Sequence, residues 1–230
     1  TETQSAYVSL SAGVSDYAND QFDKQQGELR AGLRRDELRY SLQVEAIADR
    51  HWHNRKSQSL GFGGRAAARW NVAQGWWLSG EIVQMYRSYD KASDADALTT
   101  RATASVRHAV SRRLTLSAGG SFEKEIVSGR PWNSYDSVSG TLGLEMPIAH
   151  GVRVKAAVTA GRREFEELFP GLRLLRQDRF WELRGTFTKD NFEIAGFSPI
   201  VAVFTKQQTS NVAFYDYQSN GTELTFTKAF

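Results

Sequence analysis

The sequence predicts an all-β fold, a transmembrane antiparallel up-and-down β-barrel of about twelve strands, with fourteen as the alternative count. Three observations predict it. Apolar and polar residues alternate with a period of two over long segments, short turn-like joints are interleaved with longer polar stretches, and aromatic residues gather near the segment ends. The 230 residues contain no linker-like or low-complexity stretch, so they read as one domain, residues 1–230.

The alternation is clearest in three consecutive segments. In "RRLTLSAGGSFEKE", Leu114, Leu116, Ala118, Gly120 and Phe122 share one face, opposite Thr115, Ser117, Gly119, Ser121 and Glu123. "DSVSGTLGLEM" sets Val138, Gly140, Leu142, Leu144 and Met146 against Ser139, Thr141, Gly143 and Glu145. "GVRVKAAVTAGRR" sets Val152, Val154, Ala156, Val158 and Ala160 against Arg153, Lys155, Thr159 and Arg163. The polar faces elsewhere carry Glu28, Arg30, Arg34, Arg39, Glu45, Arg65, Arg69, Glu81, Arg107, Glu182 and Arg184. A packed soluble core does not take so many ions, because each desolvated charge costs several kcal/mol unless paired. A water-filled or salt-bridged lumen does, and Arg65, Arg69, Arg107, Glu145 and Arg153 are expected to line it.

Turn-like joints fall around Arg35–Asp36, Ala73–Gln74, Ser111–Arg112, Ala149–Gly151 and Asp190–Asn191. Between them lie "DYANDQFDKQQ", "RHWHNRKSQ", "YDKASDADA", "IVSGRPWNSYD", "EFEELFPGLRLLRQD" and "TSNVAFYDYQSN". Long and short connections in alternation are the topology of an outer-membrane barrel, with short turns and both termini in the periplasm. Tyr40, Trp70, Trp76, Phe187, Phe192 and Phe230 lie beside the joints, and Tyr86, Trp132, Tyr135, Phe180 and Trp181 beside the long stretches. Two such bands are read as girdles at the two headgroup regions.

Composition is consistent with this and removes other classes. No run of about 18 apolar residues exists to form a membrane helix, and the mean hydropathy of −0.48 is what alternating lipid-facing and lumen-facing residues average to. Net charge is +3, but the basic residues are interspersed with acids, which argues against a nucleic-acid partner. There is no cysteine, hence no disulfide framework or thiolate metal site. "DRHWHN" places Asp49, His51 and His53 on one face of a strand, and without a third convincing ligand the reading is a polar strand tip. His108 and His150 have no nucleophile partner. Neither an enzyme nor a cofactor is expected, and the partners expected are outer-membrane lipid and the barrel assembly machinery, around a monomer.

The ending, "SNGTELTFTKAF", resembles the C-terminal signal by which outer-membrane barrels are recognised for assembly: Ser219, Gly221, Leu224 and Phe226 have the spacing, and Phe230 is the terminal aromatic. A narrower resemblance covers the last 60 or so residues. A "G-F-x-P" element (Gly196, Phe197, Pro199), an "S-N" pair (Ser210, Asn211) and an "F-Y-x-Y" element (Phe214, Tyr215, Tyr217) before the closing strand resemble the end of the surface lipoprotein assembly modifier (Slam) barrels. That resemblance implies a barrel that helps deliver lipoproteins, or other protein cargo, to the cell surface. It also implies an upstream periplasmic domain of helical repeats, which this sequence lacks, and a barrel nearer fourteen strands. From the residues alone, "GFSP" is a device that bends or loosens a strand, since Gly relaxes the backbone and Pro withholds a ladder donor. Such a loosened ladder beside an aromatic loop is the expected cargo or gate region. The alternative function is a passive or gated pore for small solutes, with the lumen arginines favouring anions.

Overall fold

The computed structural model describes residues 3–17, 24–53, 56–190, 192–194 and 196–229; the side chains of 15–17 and 227–229 are not described. Twelve strands form a closed antiparallel barrel in which each strand pairs with its sequence neighbours and β12 closes on β1. They are β1 (Thr3–Tyr17), β2 (Lys24–Asp36), β3 (Tyr40–His53), β4 (Lys56–Ala73), β5 (Trp76–Tyr89), β6 (Ala97–Ala109), β7 (Thr115–Val127), β8 (Tyr135–Pro147), β9 (Val152–Leu168), β10 (Leu175–Lys189), β11 (Ser198–Ser210) and β12 (Tyr217–Ala229). Closure removes every sheet edge, which is what a hydrocarbon environment demands of β structure. The strand count is the twelve read from the alternation, not fourteen.

The register keeps one parity outside around the wall. Leu116, Leu142, Val158 and Leu183 are half exposed on the outer face; the last three form a row because Leu142 pairs with Val158 and Val158 with Leu183. The interior is polar: among the described residues Glu45, Asp49, Ser59, Ser137, Asp178 and Gln208 are buried. Period-two alternation thus becomes two surfaces, an apolar outer band and a charged lumen.

The connections depart from strict alternation. At the turn end they are 37–39, 74–75, 110–114, 148–151 and 190–197, and at the loop end 90–96, 128–134, 169–174 and 211–216 lie between strands. "RHWHNRKSQ", expected as a long loop, is mostly strand, because β3 runs to His53 and β4 resumes at Lys56. Its polar residues stand on strands that rise past the apolar band, where polarity no longer separates strand from loop. The first joint lies at 37–39, just past Arg35–Asp36, so Arg39 is a turn residue and not a lumen residue. Most of "DYANDQFDKQQ" lies outside the described residues.

Candidate functional site

The lumen wall is built in two ways. From β1 to β9, ions pair with ions across strands. The Glu45 carboxylate, 3% exposed, accepts from Tyr7, from Gln43 Nε2 at 2.9 Å and from Arg65 Nη1 at 2.9 Å, with Arg30 Nη1 at 3.7 Å. Arg65 Nε also donates to Glu81 at 2.7 Å. Glu145 gathers Arg107 at 2.7 Å, Arg153 at 3.3 Å and Lys155 at 3.6 Å. These groups come from β1 through β5 in the first case and from β6, β8 and β9 in the second, so each carboxylate ties several strands together. The wall leaves room: a cavity of about 540 Å³ is lined by Tyr7, Ser11, Glu28, Arg30, Glu45 and Asp49. The "DRHWHN" acid and first histidine belong to the same ion-paired wall, Asp49 accepting from Arg87 Nη2 at 2.8 Å with His51 at 3.4 Å.

From β8 to β12 rings join the carboxylates: Arg184 is ion-paired to Glu182 at 2.7 Å and to Glu223 at 2.5 Å and also lies on a ring, as Arg163 does nearer the loop end. Arg163 sits over Tyr135 at 4.2 Å and over Phe180 at 5.9 Å, and Arg184 over Phe204 at 5.0 Å. Tyr135 and Phe180 were expected in the outer girdle; both point inward, and Tyr135 is buried. The parity of their strands explains it, since Tyr135 shares its face with Ser137 and Thr141, and Phe180 shares its with Glu182 and Arg184. Gly221 of the expected assembly signal also faces inward, where a Cβ would meet the Phe204 ring at 2.5 Å. Its lack of a side chain is what lets that ring lie against β12.

The loop end is fastened by Arg176. Its guanidinium donates twice to Asp178, at 2.9 and 2.6 Å, and Asp178 is fully buried and also accepts from Gln208 Nε2 at 3.1 Å. The guanidinium lies between two rings, 4.2 Å from Phe165 and 3.2 Å from Tyr215. Tyr215 belongs to a single 3-10 turn, Ala213–Tyr215, whose last carbonyl accepts from Gln208 at 3.2 Å. Ser210 and Asn211 hold the other side of this turn. Asn211 continues the β10–β11 ladder beyond the strands: its Oδ1 accepts from Gln177 N and its Nδ2 donates to Leu175 O, both at 2.8 Å, and its own N donates to Gln177 O at 3.1 Å. Ser210 Oγ accepts from Val212 N at 3.1 Å, and Val212 is 1% exposed. Phe214, by contrast, is 68% exposed, touching Phe169 of the neighbouring loop at 5.5 Å. The "S-N" and "F-Y-x-Y" residues therefore act together, seating residues 211–216 against the inner wall while one ring stays in solvent.

"GFSP" is not part of this assembly. Gly196, with φ +79°, and Phe197 lie in the turn between β10 and β11, where Phe197 bridges to Ile194. Pro199 is the second residue of β11 and has Phe226 as its cross-strand partner. The aromatic turn lies at the opposite end of β11, which at a rise of about 3.3 Å per residue is roughly 40 Å away. The segment from Gly196 to Tyr217 is thus two places, not one. Tyr217 opens β12 opposite Gln208, with Lys206 Nζ 5.5 Å from its ring. Leu224 and Phe226 pair with Val201 and Pro199 on β11, while Phe230 lies outside the described residues.

Of the expected lumen arginines, Arg65, Arg107 and Arg153 have carboxylate partners. Arg69 has none among the described residues; it lies 5.7 Å from the Trp77 ring, beside a polar cavity of about 300 Å³ that Arg34 and Arg65 also line. Arg176, Asp178 and Gln208 were missed from the sequence. The parity that puts Asp178 on the lumen face was readable, but the ring that covers Arg176 is far along the chain.

No curated protein matches the sequence. Solved structures with the same architecture include the KdgM porin in complex with disordered oligogalacturonate (11% identity, TM-score 0.54, covering 96% of this chain and 99% of that one). The outer membrane channel DcaP of Acinetobacter baumannii is similar at 10% identity and TM-score 0.51, covering 100% and 97%. These likenesses establish the fold. The profile of the surface lipoprotein assembly modifier family matches residues 3–230, and with the closed barrel it makes this an outer-membrane β-barrel. Because that match runs through the barrel from β1 to β12, well beyond the C-terminal motifs, the chain belongs to the surface lipoprotein assembly modifier family.

Proposed function

We propose that this barrel is the membrane domain of a translocon that assists lipoproteins, or other protein cargo, to the cell surface, with its loop end outside and both termini in the periplasm. The family match over residues 3–230 carries the reading. The working part is the turn at 211–216, bound to the inner wall through Tyr215 and Asn211 and presenting Phe214 outward. Cargo passage requires that turn to leave its seat. The ion-paired wall stays fixed while it does so.

The test replaces Phe214, Tyr215 and Tyr217 with Ser in the full-length protein and measures surface display of a co-expressed lipoprotein beside single-channel conductance. Display should fall several-fold while the barrel still assembles. Unchanged display would reject the role of the turn. A pore for small anions is a second reading, favoured by unpaired Arg69 beside Arg34 and Arg65. It requires ion selectivity that Arg69→Glu reverses and display that ignores residues 211–216.

A further inference from the structure

Among the described residues, the outer face carries a cross-strand pair of arginines that shares a single carboxylate. Arg162 on β9 and Arg179 on β10 are direct cross-strand partners, and both are exposed. Like charges placed opposite one another on one face of a sheet repel. Arg162 has Glu164 at 3.5 Å; Arg179 has no ion-pair partner among the described residues. The neighbouring outward cation, Lys124, is already neutralised by Asp136 and Glu166, so those two acids are engaged. The other cross-strand neighbour of Arg179 is Thr209, exposed on β11. Two guanidinium groups and a hydroxyl therefore stand in one row across three strands.

The height of this row is fixed by what lies beneath it. Going down β10, the outward residues after Arg179 are Trp181, Leu183, Gly185 and Phe187; going down β9 after Arg162 they are Ala160, Val158, Ala156 and Val154. On β9 and β10 the row is thus the first rung above the apolar band, which on β8 still includes Val138, the other cross-strand partner of Arg162. Trp181 lies next to the row, 39% exposed, with its indole N–H donating to Gln207 at 3.0 Å. An indole half in an apolar band and half hydrogen-bonded marks a headgroup boundary. Small side chains flank that ring, since Trp181 pairs with Ala160 and Ala160 with Gly140. Directly under the charges the outer face thus carries an indole beside a residue with a methyl group and one with no side chain.

We propose that Arg162, Arg179 and Thr209 bind the phosphate of a phosphorylated glycolipid in the outer leaflet, with an acyl chain of that lipid lying along Gly140, Ala160 and Trp181. Two arginines converging on one phosphate turn their mutual repulsion into charge-assisted hydrogen bonds. The assignment rests on the loop end facing outside, as in the reading above. It makes no use of cargo, so the two fail separately.

Native mass spectrometry of the barrel in detergent tests it, with added diphosphoryl lipid A as the probe. The unaltered protein should retain bound lipid, and Arg162→Gln with Arg179→Gln should weaken retention by about tenfold or more. Lys124→Gln should leave retention as it was, and the Lys replacements at 162 and 179 should restore part of it. Arg162 and Arg179 are exposed and Lys124 is half-exposed, and heat-modifiable migration on gels reports that each variant is folded. Three results would overturn the proposal: equal retention by the double Gln variant, equal retention of the dephosphorylated glycolipid by the unaltered protein, or a preference for phosphatidylglycerol or inorganic phosphate over the glycolipid.

Discussion

The two sides of the lumen hold their arginines differently. Arg65 lies between two carboxylates, Glu45 and Glu81, on adjoining strands; Arg176 is held edge-on by one carboxylate and covered on its faces by Phe165 and Tyr215. The first arrangement uses only groups on fixed strands. The second borrows a ring from a loop, so the packing of a buried cation depends on where that loop sits. A wall made entirely of strand-to-strand ion pairs would be stiff and indifferent to its loops. This barrel couples the 211–216 loop to the packing of a buried lumen arginine through Tyr215.

Breaking the second arrangement should have the largest effect. Asp178→Ala leaves Arg176 buried without its carboxylate, and loss of one partner of a buried pair costs about 3–5 kcal/mol. Unfolding in urea from lipid vesicles should report it, and the released turn should raise conductance. If stability is unchanged, the Arg176–Asp178 pair is not the fastening.

Of similar size is the effect of crossing from the lumen to the lipid side. Arg in place of Leu142 should cost about 2–4 kcal/mol near the midplane, whereas Arg in place of Thr141, one residue away, should be tolerated. Equal tolerance at both positions would invert the two surfaces.

Tyr215→Ser removes one face of the cation sandwich and is expected to cost about 1–2 kcal/mol, read by the same unfolding measurement. Arg65→Gln, in the ion-paired wall, should cost less, about 1 kcal/mol, because the buried Glu45 keeps its donors Tyr7 and Gln43 with Arg30 at 3.7 Å and a Gln at 65 can still donate a hydrogen bond. Reversal of that order would mean the loop contact is incidental.

The smallest effect concerns the loops away from the latch. Asp94 and Arg130 pair across the loops at 90–96 and 128–134, at 2.7 and 2.9 Å, and the Arg130 guanidinium holds the Asp94 carboxyl below its usual range. With the folded-state value lowered, the stabilisation is present above the ordinary Asp value of about 3.9 and is lost as pH falls through the lowered one. The amide of Gly129, which donates to Asp94 O, should exchange slowly at pH 7 and at pH 5 and lose protection only below about pH 4. Loss of protection already at pH 5 would contradict the pairing.

How much of this was legible in the sequence follows from what each feature depends on. Leu142 against Thr141 is a local matter of parity, and the barrel wall followed from such alternation. Tyr135 and Phe180 went wrong because position near a segment end outweighed parity; Ser137 beside the one and Glu182 beside the other already gave the inward face. The ladder extension by Asn211 depends on register with Gln177, and the covering of Arg176 depends on Tyr215, 39 residues on. Neither distance leaves a periodic trace. "GFSP" and the aromatic turn looked like one site because they are near in sequence, whereas an extended strand carries such neighbours to opposite ends of the barrel.

The absence of cysteine from these 230 residues allows the central claim, that the 211–216 turn must leave its seat for cargo to pass, to be tested with one engineered cross-link in the barrel. Phe169→Cys and Phe214→Cys replace two rings now 5.5 Å apart and can be joined by oxidation or a short bismaleimide in cells making the full-length protein and a lipoprotein. The measurement is the rate at which new lipoprotein reaches the surface before and after joining, and after reduction of the disulfide. The account predicts that display stops when the turn is tied down and returns on reduction to the level of the two single-cysteine proteins, neither of which shows any response to oxidation. Display that continues at the same rate through a fully joined population would contradict it.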